Sequence, residues 1–321
     1  MPKVFVTRQI PDAGIKLMKD AGFEVEVSDF DGVLPRETLL AKVKGIDAIL
    51  SLLTDKMNGE ILDAAGPQIK IVANYAVGYD NIDVKALTDR GVIVTNTPGV
   101  LTESVAEHAI ALIFAIARKI VESDQYMRDG KYVGWAPLLF LGNDLVGKTL
   151  GLVGLGRIGA AVAKRMHDGF EMKILYYDVK RDEELENKYH LEYKDLESLL
   201  KESDFVSVHV PMNPQTKHLI GEPQFKMMKK TAYLVNTSRG PVIDENALVA
   251  ALKNGEIKGA GLDVYELEPK MAEGLAQLPN TVLTPHTASA TEETRGAMSE
   301  LAAKNIIAVL SGQPPLTQVK L

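Results

Sequence analysis

Hydrophobic positions along this chain fall into two alternating rhythms. Short, continuous apolar runs are followed by longer stretches in which apolar residues recur every three or four positions. The runs read as buried strands over Lys3–Thr7, Glu24–Val27, Asp47–Leu50, Ile69–Ala73 and Val92–Thr95. A second series covers Thr149–Val153, Lys173–Tyr177, Phe205–Val208, Ala232–Val235, Gly259–Leu262 and Thr281–Thr284. Patterns such as Asp12–Ala21 and Pro35–Val43 read as amphipathic helices between them. Sustained strand–helix alternation predicts an α/β protein with doubly wound parallel sheets. A long helical pattern, about Ser104–Met127, separates the two series. Ser104 with Glu107 fits a capping box at its start. Its apolar positions, among them Val105, Ala109, Leu112, Ile113, Ile116 and Ile120, form a stripe wide enough to predict burial between layers or against a second subunit. A last helix, about Glu292–Leu310, has no strand after it.

Length changes this picture by fixing its scale: 321 residues suffice for about two domains. With 46% hydrophobic and 25% charged residues the composition is that of an ordinary globular protein. Net charge is −7 and no basic run occurs, so nucleic acid is not expected as a partner. The most apolar stretch, Ala109–Ala117, is too short to span a bilayer, and the N-terminus lacks the pattern of a signal peptide. Absence of cysteine excludes disulfides and thiol chemistry and agrees with a cytoplasmic location.

The strongest local signal is residues 148–159, Lys-Thr-Leu-Gly-Leu-Val-Gly-Leu-Gly-Arg-Ile-Gly. A strand there runs into the G-x-G-x-x-G turn Gly154-Leu155-Gly156-Arg157-Ile158-Gly159 and then into a helix. Gly154 permits the tight turn, Gly156 lets a pyrophosphate approach the backbone, and Gly159 lets the helix pack on the sheet. The helix N-terminus offers unpaired N–H groups and a positive dipole end to phosphate. The next strand ends in Asp178, 19 residues beyond Gly159, where a carboxylate would hold a ribose diol. A 2′-phosphate would meet that carboxylate unfavourably, so NAD(H) is expected over NADP(H), although Lys180 and Arg181 stand close enough in sequence to reach a phosphate.

In an open parallel sheet ligands gather at the carboxyl ends of strands. Three polar residues there suit chemistry on a carboxylic acid. Arg239, in Asn236-Thr237-Ser238-Arg239-Gly240, can donate two parallel hydrogen bonds to a carboxylate. His286, in Pro285-His286-Thr287, is a proton donor suited to neutral pH. A carboxylate beside it would favour the protonated ring. Glu268, 18 residues before His286, and Glu266 both offer one, and spacing does not choose between them. Of the other imidazoles, His209 follows a strand and is expected to line the cofactor cleft without reacting. His108 lies in the long helix, His167 and His190 in polar stretches, and His218 in a turn. No compact His and carboxylate set suggests a metal.

On these motifs, together with Gly261-Leu262-Asp263-Val264, Glu268-Pro269 and Pro285-His286, the chain resembles the D-isomer-specific 2-hydroxyacid dehydrogenase family over nearly its full length. The resemblance implies two Rossmann- or flavodoxin-like domains with an active-site cleft between them. One comprises 1–99 plus 288–321 and binds substrate; the other, 100–287, binds the cofactor. It carries the family's Arg, Glu and His onto Arg239, Glu268 and His286. It places Asp263 at the nicotinamide carboxamide, and Thr102, His209, Val210, Pro211, Thr237, Ser238 and Ala288 along the cofactor.

Ser51-Leu52-Leu53-Thr54-Asp55-Lys56 and Asn74-Tyr75-Ala76-Val77-Gly78-Tyr79-Asp80-Asn81-Ile82-Asp83 are similar to glyoxylate/hydroxypyruvate reductases within that family. There the N–H groups of Val77 and Gly78 would hold the substrate carboxylate and Leu53 would line the pocket. The resemblance implies reduction of a small 2-oxo acid, with D-lactate-type or broad 2-hydroxyacid dehydrogenases, and an NADH-sensing corepressor-like protein, as the alternatives. It also implies a homodimer formed through helix 104–127 and the loop 131–143. That loop holds the single tryptophan, Trp135, as an arm toward the partner or as a packed anchor of its own loop.

Overall fold

The computed structural model describes residues 1–320. The chain forms two compact units, Met1–Leu101 with Ala290–Leu321, and Thr102–Ser289. In the first, the chain runs β1 (Lys3–Val6), α1 (Asp12–Asp20), β2 (Glu24–Val27), α2 (Arg36–Lys42), β3 (Ala48–Ser51), α3 (Gly59–Ala65), β4 (Ile71–Asn74), α4 (Val84–Thr88) and β5 (Ile93–Thr95). The second unit holds α5 (Thr102–Ala117), α6 (Ile120–Arg128), β6 (Thr149–Val153), α7 (Arg157–Phe170), β7 (Lys173–Tyr177), α8 (Glu183–Tyr189), β8 (Glu192–Tyr193) and α9 (Leu196–Glu202). It continues through β9 (Phe205–Val208), α10 (Glu222–Met227), β10 (Tyr233–Asn236), α11 (Glu245–Lys253), β11 (Gly259–Leu262) and β12 (Thr281–Leu283). The chain then returns to the first unit as α12 (Glu292–Leu310), which packs on α1.

Every strand pair within the two sheets is parallel. The first sheet has the order β2-β1-β3-β4-β5 and the second β12-β11-β10-β9-β6-β7-β8. Each therefore reverses direction of winding at one point, between β1 and β3 and between β6 and β9. A crevice opens there outside the strand ends, the usual ligand position of such sheets.

Alternate residues of the second sheet feed two apolar layers. Leu150, Leu152, Ile174, Tyr176 and Val235 meet α5 and α7 on one face. Val153, Leu175, Val206, Val208, Leu234 and Leu262 meet α9, α10 and α11 on the other. Strands buried on both faces explain the near-continuous apolar runs seen in the sequence.

The pattern over 104–127 departs from a single helix. It divides into α5 and α6 at Lys119, which has a left-handed φ of 53°. The carbonyl of Ala117 accepts the N–H of Asn143 at 2.9 Å, so a loop closes the end of α5. Ser104 is not the cap: α5 begins at Thr102, and Ser104 is buried within its first turn. The apolar stripe of α5 is spent inside the unit, between layers, rather than left for a second subunit. No helix among the described residues is long and apolar enough to cross a membrane.

Candidate active site

The glycine turn sits where β6 is flanked by β7 and β9, with Val153 level with Tyr177 and Val208. Gly154 has φ +103°, and a Cβ on it would lie 2.9 Å from His209 C and Val210 N. The loops after β6 and β9 therefore touch at this point. A Cβ on Gly159 would lie 2.3 Å from Gly154 O, which is the close helix–turn packing that a glycine allows. A Cβ on Gly156, by contrast, would meet nothing within 4 Å. Gly156 caps α7, so Arg157, Ile158 and Gly159 open a helix N-terminus that faces open space.

Asp178 reaches back onto this turn. Its Oδ2 accepts the N–H of Leu155 at 2.8 Å and its Oδ1 the N–H of Val179 at 2.7 Å. Thr237, just beyond β10, is buried, and its Oγ1 has no partner among the described residues. His209 shares a hydrogen bond of 2.9 Å with Ser207, and burial pushes its imidazole down to about 4, so the ring is neutral at pH 7. Val210 beside it is buried and Pro211 exposed. An open helix N-terminus, a carboxylate at the second strand end and an orphaned hydroxyl fit a dinucleotide's diphosphate, ribose diol and neighbouring polar atoms.

Strand register brings the second group of residues together. Asn236 is level with Leu262, and Leu262 with Leu283. The residues just past these ends, Thr237, Asp263 and Thr284, therefore leave the sheet side by side. Asn236 braces its own turn: Oδ1 accepts the N–H and hydroxyl of Ser238, and Nδ2 donates to Arg239 O, each at 2.9 Å. Gly240 must be glycine because a Cβ would fall 1.9 Å from the backbone of Tyr265. The Arg239 loop thus lies directly against the segment that carries Glu268.

Glu268 Oε2 receives His286 Nδ1 at 2.9 Å, and Oε1 receives the N–H of Tyr265 at 3.1 Å. Burial raises the Glu268 carboxyl, but the hydrogen bond and charge of His286, the Tyr265 N–H and the charge of Arg239 outweigh it and hold it below the usual carboxylate range. An ionised Glu268 only accepts, so His286 Nδ1 carries hydrogen. His286 Nε2 has no partner among the described residues. Glu266, the competing acid, turns to His218 at 2.7 Å instead.

Asp263 is fully buried. Its carboxylate accepts Thr284 Oγ1 at 2.6 Å and the N–H groups of Thr287 and Ala288 at 2.8 Å each. The hydrogen bonds from His108, Thr284, Thr287 and Ala288 overcome the burial that would raise its carboxyl, and hold it low. Thr102 opens α5 and is partly buried.

In the first unit, Leu53 follows β3 and Val77-Gly78 follow β4. The N–H groups of Val77 and Gly78 donate to nothing among the described residues, while their carbonyls accept from Asn96 and Asn74 at 2.8 Å. The two loops are joined by a residue that motif reading passed over. Asn81 Nδ2 donates to Leu52 O at 3.1 Å and Asp55 O at 2.9 Å, and its Oδ1 accepts from Asn74 at 3.1 Å. Asp55 is buried at the β1/β3 switch, where it accepts from Thr7 Oγ1 and the Leu52 N–H. The only hint in the sequence was at the partner of Asn81: Asn74 closes the otherwise apolar strand β4, and a polar group there needs a polar partner.

Two further readings are altered. Trp135 is no packed anchor of its own loop, because it is 83% exposed. Arg181 does not point toward a phosphate: it makes two bonds of 2.7 Å to Glu186. No group of three or more His, Cys, Asp or Glu among the described residues could hold a metal ion.

Residues 110–288 match the family described as D-isomer specific 2-hydroxyacid dehydrogenase, NAD binding domain. The chain belongs to this family. It is 54% identical over 318 residues to a glyoxylate reductase of Thermococcus litoralis, covering 98% of this chain and 95% of the relative. A solved structure from Thermus thermophilus superposes with a TM-score of 0.93 at 42% identity, over 99% of this chain and 100% of that one. An NADPH-dependent glyoxylate/hydroxypyruvate reductase of Sinorhizobium meliloti, solved with NADP and malonate, gives a TM-score of 0.87 at 36% identity, over 99% of this chain and 96% of its own. The chain is thus an oxidoreductase acting on CH–OH groups, with a domain that binds a nicotinamide dinucleotide.

Proposed function

We propose that the chain reduces glyoxylate or hydroxypyruvate to the 2-hydroxy acid with NADH. The observation that carries this reading is the pairing of His286 with ionised Glu268, beside the Arg239 loop and in the same unit as the dinucleotide turn. Relatives that are glyoxylate reductases across nearly the whole length support the substrate.

Gly154–Gly159, Asp178, His209–Pro211, Thr237, Ser238, Asp263, Ala288 and Thr102 would hold the dinucleotide, and the chemistry it would supply when bound is hydride for C2 of the oxo acid. Arg239 holds the carboxylate and the carbonyl oxygen through its planar fork. In the first unit, the N–H groups of Val77 and Gly78 donate to nothing among the described residues and suit a carboxylate, with Leu53 on the neighbouring loop to limit the substituent. As C2 becomes tetrahedral, negative charge gathers on its oxygen. Arg239 stabilises that charge and His286 Nε2 donates the proton, while Glu268 holds the ring's tautomer and its positive charge. Solvent then reprotonates the ring.

NADH is favoured over NADPH because Asp178 stands at the ribose position and Arg181 is committed to Glu186. The enzyme works as a cytoplasmic homodimer. Val133, Trp135, Leu138 and Leu141 lie exposed in the loop 131–143, and Ile120 and Met127 of α6 are exposed as well, large apolar side chains that a second copy would cover. The direct test is loss of NADH absorbance with glyoxylate, hydroxypyruvate or pyruvate. Highest kcat/KM with glyoxylate or hydroxypyruvate is expected; preference for pyruvate would redirect the reading to a lactate-type enzyme, and no reduction of any would refute it.

A further inference from the structure

His108 has no part in the reaction described above, yet the helix that carries it and two polar contacts fix its place. It heads a stripe on α5 formed by His108, Leu112 and Ile116. Ile116 lies over Gly259 and Leu112 over Gly261, where a Cβ would come within 3.2 Å and 3.1 Å of them. Four helical residues advance about 6 Å and two strand residues about 6.6 Å. The next step of the stripe therefore sets His108 over Asp263. Its Nε2 is 3.3 Å from Asp263 Oδ1 and 3.1 Å from Thr284 Oγ1.

The network fixes the direction of these bonds. Thr284 spends its hydroxyl proton on Asp263 at 2.6 Å, so its oxygen accepts, and His108 Nε2 must be the donor. Asp263 in turn holds the segment that bears His286. Its carboxylate takes the N–H groups of Thr287 and Ala288, and its backbone carbonyl takes the N–H of His286 at 2.9 Å. His286 has φ +55°, a conformation that a non-glycine residue keeps only where its surroundings impose it.

We propose that His108 is a positioning residue for the reduction: donating from Nε2 to Thr284 and Asp263, it locks the turn 284–288 and so aims His286. The proposal rests on His286 being the proton donor. His108→Leu removes the donor and keeps bulk, whereas His108→Gln can place an N–H where Nε2 stood. For the former, kcat with glyoxylate is expected to fall about 100-fold, with KM and NADH affinity near wild type. His108→Gln should recover most of the lost kcat.

Thr284→Val removes the shared hydroxyl at similar volume and should lower kcat alike, and the double variant should fall no further than the worse single one. If His108→Leu does not fold, Thr284→Val and His108→Gln carry the test by themselves. Wild-type kcat in His108→Leu or Thr284→Val, a loss in KM alone, or a folded His108→Gln as slow as His108→Leu would each overturn the proposal. His286→Ala serves as the control. Should it retain turnover, the acid assignment fails and takes this proposal with it; should it be inert while His108→Leu is unimpaired, only the role of His108 is lost.

Discussion

His286 Nδ1 lies 2.9 Å from Glu268 Oε2, although 18 residues separate them and each arrives on a different loop. The pair exists because β11 and β12 are adjacent and in register, so the loops leaving them converge. Glu268→Gln keeps the shape but cannot balance a positive ring. It should lower kcat with glyoxylate on the order of 100-fold and leave NADH binding intact, as read by steady-state kinetics and fluorescence titration.

Asp178 is the expected determinant of coenzyme choice. Asp178→Ser removes the charge that opposes a 2′-phosphate. The ratio of kcat/KM for NADH to that for NADPH should drop by about tenfold or more. An unchanged ratio would move the determinant elsewhere on β7 or its loop.

His209 makes stability depend on pH. Its folded-state value of about 4 lies below the 6.5 of a free imidazole. The unfolded chain therefore takes up the proton first. This contribution is full well above pH 6.5, declines as pH falls toward 4, and levels off below that; the whole loss is on the order of 3 kcal/mol. His209→Asn should lack this part of the decline, which thermal melts between pH 7 and 4.5 would show.

The exposed arm predicts assembly. Val133 and Trp135 are 96% and 83% exposed, a costly arrangement for an isolated chain. The native protein should run as a dimer by light scattering, and Val133→Glu with Trp135→Ala should shift it to monomer. A wild-type monomer would contradict the proposal.

Much of this was legible in the sequence because buried parallel strands announce themselves as short apolar runs. Thr149–Val153, Lys173–Tyr177, Phe205–Val208 and Gly259–Leu262 have the same limits in the sequence pattern and in the structure. The division of helix 104–127 was not legible, since nothing local at Lys119 breaks a helix. The break depends on Asn143, far along the chain, taking the Ala117 carbonyl. Spacing alone left Glu266 and Glu268 equivalent; the structure separates them by giving Glu266 to His218. The roles of Asn81 and His108 needed three dimensions, because each joins loops distant in sequence. Only the Gly259/Gly261 pair hinted that a helix approaches β11 closely.

The central claim is that His286, oriented by Glu268, gives the proton to a 2-oxo acid reduced by NADH. Pre-steady-state NADH oxidation with glyoxylate, measured for wild type and His286→Ala alongside NADH affinity, tests it most directly. The account predicts unchanged NADH affinity and hydride transfer slowed by about 100-fold or more in the variant. Hydride transfer at the wild-type rate in His286→Ala would contradict it.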